Sequence, residues 1–175
     1  MIRGFLSGLF ACFIGTLIYL FFHLGFLRSV ELKEETRAGY NLLYVTHLGA
    51  YEQVSNLILD AEKTAAAAKI SCDKTFSQFF DDPDLIDQDR LRSRAGCLTT
   101  ELIKNPPSGW KTEPIPPQKY LVATFEGSPA IGPWKVYPKA KSYIADHGLL
   151  SDGTTIEIYT IHKSGMTTEY LFPLK

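Results

Sequence analysis

Cysteine is scarce in this chain. Cys12, Cys72 and Cys97 are the only three in 175 residues, and no two stand at a C-x-x-C spacing. That excludes a thiolate zinc site and a disulfide-dense secreted scaffold as organising principles. Cys72 and Cys97 could pair only if their strands bring them close. An excess of basic charge is missing too. Eighteen Lys and Arg stand against nineteen Asp and Glu, a formal net charge of −1, so no basic face argues for nucleic acid as a partner. Nor is there a Ser-His-Asp or Cys-His order with a supporting motif, a phosphate-cradling glycine loop or a metal-ligand spacing. No catalytic residue, metal ligand or cofactor is assigned. His47, His147 and His162 are isolated and read as turn or surface residues. Asp81, Asp82, Asp84, Asp87 and Asp89 lack the EF-hand order and its central glycine, and read as a solvated loop.

The longest absence is of charge. Residues 4–27 contain no Lys, Arg, Asp or Glu. The run is apolar all round and long enough to cross a bilayer core of roughly 30 Å. It is too long for the apolar part of a signal peptide and has no small-x-small cleavage site near Phe26–Val30. The reading is a tail at 1–3, a single transmembrane helix at 4–27 and a juxtamembrane linker at 28–39, a single-pass membrane protein. Arg28, Lys33 and Arg37 outnumber Arg3 and place the following domain in the cytoplasm by the positive-inside tendency. Gly4-x-x-x-Gly8 reads as ordinary glycine in such a helix.

Aromatic residues, in contrast, are plentiful, with 9 Tyr, 11 Phe and 2 Trp, enough to line a cavity. The remainder, 40–175, reads as one domain of two similar halves. Leu43–Asp60 is a strand, a glycine and a helix, and Tyr120–His147 repeats that order, with Thr46-x-x-Gly49 answering Thr124-x-x-Gly127. Each unit is followed by two strand-like runs: Lys74–Asp81 and Leu91–Leu98, then Thr154–His162 and Thr167–Pro173. The fold expected is α+β, two βαββ repeats forming one antiparallel sheet with helices on one face. Repeat one is 40–104, a proline-rich connector is 105–118, and repeat two is 119–175. The spacing predicts a helix over Ala50–Lys69. In the second half Pro138 predicts a break: a helical turn around Ile131–Val136, then a new helix with Pro138 at its first position and Gly148 at its end. Asp152-Gly153 and Ser164-Gly165 read as turns.

These residues resemble the GyrI-like effector-binding domain, built of SHS2-type repeats. The likeness rests on Thr124-Phe-Glu-Gly127, the proline-containing helix ending in Gly148, Ile156-Glu-Ile-Tyr159 and Thr168-Glu169-Tyr-Leu-Phe-Pro173. In the first half it rests on His47-Leu-Gly49-Ala-Tyr51-Glu52 and Phe80-Asp-Asp-Pro83. With an anchor in front, the arrangement is similar to a testis-expressed reticulophagy receptor. Because the chain stops at Lys175 without that receptor's long tail, only the anchored domain carries over. The helix-turn-helix region of the family's transcription regulators is absent as well.

The resemblance implies a ligand groove between the repeats and a glutamate on the last strand meeting lipophilic cations. The matching residue is Glu169. A carboxylate among rings is poorly solvated, so a cation that neutralises it gains Coulomb and cation–π energy together. Tyr51, Tyr120, Phe125, Trp134, Tyr159 and Tyr170 are the rings expected around it, and Glu157 on the neighbouring strand is a second candidate carboxylate. Both faces of Thr167–Phe172 carry apolar residues, so alternation leaves open whether Glu169 meets the groove or solvent. The function expected is a membrane-anchored domain binding a small, apolar or cationic molecule. One alternative is a membrane-tethered module whose groove is filled by side chains and whose surface recruits a protein partner. Another is a hydrolase of reactive cyclopropane-type electrophiles with Glu169 as general base.

Overall fold

A computed structural model describes residues 2–163 and 165–175; the side chains of residues 2–9 and 11 lie outside the described part. The glycine pair Gly4 and Gly8 therefore falls beyond side-chain description, as does Ser164 of the expected hairpin turn. Three α-helices, α1 (Ile2–His23), α2 (Val54–Ala67) and α3 (Gly132–Asp146), accompany eight strands. These are β1 (Val30–Arg37), β2 (Tyr40–Leu48), β3 (Lys74–Phe79), β4 (Arg92–Thr99), β5 (Lys111–Ile115), β6 (Gln118–Glu126), β7 (Thr155–His162) and β8 (Gly165–Pro173). All pair antiparallel in one sheet of order β1-β6-β8-β7-β3-β4-β2-β5.

The two halves are visible in that order. The trio β3-β4-β2 and the trio β7-β8-β6 are the same arrangement turned about an axis between β3 and β7. Two strands come in addition to the six expected. β1 lies within the segment read as a linker at 28–39, and β5 within the connector at 105–118. Each extends the other half's sheet: β1 adds to β6, and β5 adds to β2. Both occupy edges, which suits their sequences. β1 is mostly charged, and β5 carries Pro114, which an edge strand tolerates.

The connections force the sheet to curl. Arg37 at the end of β1 is joined to Tyr40 at the start of β2 by Ala38-Gly39 alone, a span of at most roughly 11 Å. In a flat sheet those strands would be six positions apart, roughly 29 Å. Pro116-Pro117 makes the matching short step from β5 to β6. The curl encloses a core on the face without helices, where Leu42, Tyr44, Phe76, Tyr120, Ile156, Ile158 and Leu171 pack together. The other face carries both domain helices. Val136 and Ala140 of α3 pack on Leu121, Ala123 and Phe125, and Ala61 and Ala65 of α2 pack on Cys97, which forms a disulfide with Cys72.

Two expectations are corrected here. The transmembrane helix at 4–27 is not upheld: among the described residues no helix is long and apolar enough to cross a membrane. The fold class loses its span, and the single-pass, cytoplasm-facing placement goes with it. The last residues of the apolar run are engaged elsewhere. α1 ends at His23, Gly25 turns the chain at φ +88°, and Ser128 N–H donates to the Leu24 carbonyl at 3.1 Å. The Lys135 ammonium donates to the carbonyls of Gly25, Phe26 and Arg28. The second correction concerns Pro138, which does not break the helix: α3 is continuous from Gly132, with Pro133 in its first turn. Pro138 lies on the solvent face, where the carbonyl of exposed Trp134, deprived of its N–H partner, can be hydrated.

Candidate functional site

On the helix face, α2 and α3 stand apart and leave an open groove of about 1590 Å³. The space is not packed with side chains as the scaffold alternative required. Its floor is the seam where the halves meet, β3 against β7, at which Ser77 lies opposite Glu157. The repeat offset makes these two residues counterparts, so the floor sits on the internal two-fold axis. Ile58 of α2 and Tyr137 and Ile144 of α3 form the walls, and Asp82 meets Lys141 across the mouth at 3.1 Å.

Glu157 is the carboxylate of this groove. It is 4 % exposed. The Tyr137 hydroxyl donates to its Oε1 at 2.9 Å and the Tyr159 hydroxyl to its Oε2 at 2.9 Å. Behind Tyr159, the Ser77 hydroxyl completes a chain at 2.6 Å, and either oxygen of that pair can donate. No ion pair to Glu157 is found among the described residues. Burial without a counter-charge pushes its carboxyl up to about 7, against the pull of the two tyrosine hydrogen bonds. Burial and the neighbouring Glu157 carboxylate together hold the phenols of Tyr137 and Tyr159 well above their ordinary range. The result is a carboxyl group near half-ionisation at neutral pH, in an apolar cleft. It can attract a cation or exchange a proton.

Glu169, matched to the ligand glutamate by family likeness, lies elsewhere. It points to the enclosed face of the sheet, 2.5 Å from Arg37 Nη2 and 3.6 Å from Lys74 Nζ. Arg94 is its counterpart in the first half and pairs with Glu113 of β5 at 2.7 Å. Each edge strand is thus tied to a neighbouring half by an ion pair, with the charges exchanged between halves. Of the expected rings, Tyr159 is on the groove floor and Tyr51 on its wall. The Tyr51 hydroxyl donates to the Asp81 carbonyl at 2.9 Å and accepts from the Asp81 N–H at 3.1 Å. Tyr120 is buried in the opposite core, and Phe125 and Tyr170 in the core under α3. Trp134 is 81 % exposed, away from the groove. Tyr137 and Ser77 were not anticipated. The expected break at Pro138 hid Tyr137; once α3 is continuous, residues 137, 141 and 144 share one face. For Ser77 the signal was its repeat position opposite Glu157.

Residues 31–175 match the family described as GyrI-like small molecule binding domain. No curated protein matches the chain in sequence, and the likeness to a reticulophagy receptor finds no support. Several solved structures share the fold. The EcmrR–DNA complex has 14 % identity and a TM-score of 0.68, with 99 % of this chain and 68 % of that one covered. SAV2435 bound to tetraphenylphosphonium has 13 % identity and a TM-score of 0.58, covering 83 % and 94 %. A hydrolase from Listeria innocua has 13 % identity and a TM-score of 0.53, covering 83 % and 92 %.

Proposed function

The chain belongs to the GyrI-like small-molecule-binding family, and on that premise we propose that it binds a small apolar cation in the groove between α2 and α3, with Glu157 as the counter-charge. The observation that carries the reading is a buried carboxylate with tyrosine donors but no cationic partner, at the base of an open apolar cleft. Such a group is poorly solvated when ionised, and a delocalised cation restores its charge balance without needing to be stripped of a tight hydration shell. That SAV2435, a protein of the same fold, was solved with tetraphenylphosphonium supports the ligand class. The test is thermal unfolding of the chain with tetraphenylphosphonium at pH 8. At a hundredfold excess over Kd the melting temperature should rise by about 5 to 10 °C. Glu157→Gln should remove most of that rise. Glu169→Gln should keep it, while lowering stability by about 1 kcal/mol through the weakened tie to Arg37. A panel of lipophilic cations that leaves the melting temperature unmoved refutes the proposal, as does a shift that survives Glu157→Gln.

A second reading rests on Glu157 standing near half-ionisation beside two phenols. In that reading Glu157 is the general base that activates water toward a cyclopropane-type electrophile, in place of Glu169. Turnover of such a substrate, lost in Glu157→Gln, is its measure.

A further inference from the structure

We propose that cation uptake below neutral pH is an exchange: without ligand Glu157 is mostly a neutral carboxylic acid there, and the entering cation expels its proton to solvent, reversing the hydrogen bonds along Glu157, Tyr159 and Ser77. This rests on the ligand reading above and adds its regulation.

The geometry supplies the reasons. The elements around Glu157 contribute neutral groups: Ser77 from β3, Tyr159 from β7, Tyr170 opposite it on β8 and Tyr137 from α3. The sole basic residue lining the groove among those described, Lys141, is committed to Asp82 at the mouth. The other acidic groups, Glu52, Glu62, Asp84 and Asp152, stand at the exposed rim, and Asp81 is held by Arg92. An isolated charge on Glu157 would therefore be stabilised by two hydroxyl dipoles alone, which is consistent with its carboxyl standing at about 7.

The hydroxyl chain accommodates both forms. When Glu157 is protonated, its O–H donates to the Tyr159 oxygen, which donates onward to Ser77 Oγ at 2.6 Å. When it is ionised, Tyr159 turns to donate to the carboxylate and Ser77 donates to Tyr159. Both states keep the Glu157–Tyr159 and Tyr159–Ser77 hydrogen bonds, with the direction of each reversed. The balance is simple: acid plus ligand cation give the carboxylate–cation pair and one proton in solution.

Calorimetric titration of the chain with tetraphenylphosphonium, in two buffers of different ionisation enthalpy, counts that proton. Release should be close to one per ligand at pH 6 and below about 0.2 at pH 8. Affinity should tighten about tenfold between pH 5 and pH 6 and level off above pH 8. Tyr159→Phe removes a donor that favours the carboxylate, so the midpoint of the affinity profile should move to higher pH. Ser77→Ala should move it in the same direction, a change a purely structural role would not produce. Proton release of about one per ligand at pH 6 that persists in Glu157→Gln comes from the rim carboxylates and overturns the exchange at Glu157. Binding with a flat pH profile and no proton release at pH 6 overturns the exchange and leaves the ligand reading standing. Absence of binding at every pH removes both.

Discussion

Glu157→Gln should make the protein more stable than wild type at pH 8, by about 3 kcal/mol, and by only about 1 kcal/mol at pH 5. The carboxyl stands at about 7 in the folded chain, against 4.5 as its ordinary value. Between those limits the folded state keeps a proton that the unfolded state has released. Stability therefore declines as pH rises through that window, by about 1.4 kcal/mol per unit, and is flat above it. Glutamine, having no charge to bury, escapes the decline. This runs opposite to carboxylates such as Glu113, whose hydrogen bond from Arg94 holds it below its ordinary range and whose stabilisation is lost in acid. Urea unfolding of wild type and variant at pH 5, 6, 7 and 8 separates the two contributions. Parallel curves across that range would show that Glu157 is well solvated, and the chemistry assigned to the groove would fall. A residue that costs this much stability at neutral pH is easier to explain as part of a site than as part of a core.

The halves were legible because a strand, a glycine and a helix recur with Thr46 and Gly49 answering Thr124 and Gly127. The edge strands were not. β1 reads V-E-L-K-E-E-T-R, and its charges suggest a linker until Val30 and Leu32 are seen packed under α3. β5 has a proline at its fourth position, which argues against a central strand and is silent about an edge. The apolar run before β1 showed composition alone. It gave no sign that Leu24 to Arg28 would be held against the domain by Ser128 and Lys135.

The two glutamates illustrate a second limit. In a sheet with one wet face, alternation tells core from solvent. Here the curl creates a core on each face, so β7 and β8 are apolar on both sides and alternation cannot rank Glu157 above Glu169. Family likeness favoured Glu169. Repeat arithmetic favours Glu157: it lies opposite Ser77 on the axis between halves, whereas Glu169 corresponds to Arg94 and shares its task of holding an edge strand.

That enclosed second core depends on how closely β2 and β4 approach, and Gly96→Ala tests it with the largest expected loss of stability, about 3 kcal/mol or more. Gly96 lies opposite Tyr44 in the middle of the β2–β4 ladder and opposite Phe76 in the β3–β4 ladder. A Cβ there would overlap the Leu43 carbonyl oxygen and stand 2.7 Å from Tyr44 Cα. These are backbone atoms of a strand hydrogen-bonded on both sides, so no side-chain rotation relieves the clash. Moving β2 outward would pull Leu42 and Tyr44 from the enclosed core and loosen Tyr44 from Glu113, to which its hydroxyl donates at 3.0 Å. Its repeat counterpart is Leu171, so one half fills the space that the other must leave empty. Gly148→Ala is the comparison, since nothing lies within 4 Å of that position and only its φ of +61° opposes a side chain. Left-handed backbone alone costs about 1 kcal/mol. Should Gly96→Ala cost no more than Gly148→Ala in urea unfolding, β2 and β4 must lie farther apart than described, and the curl that closes the inner core would not hold.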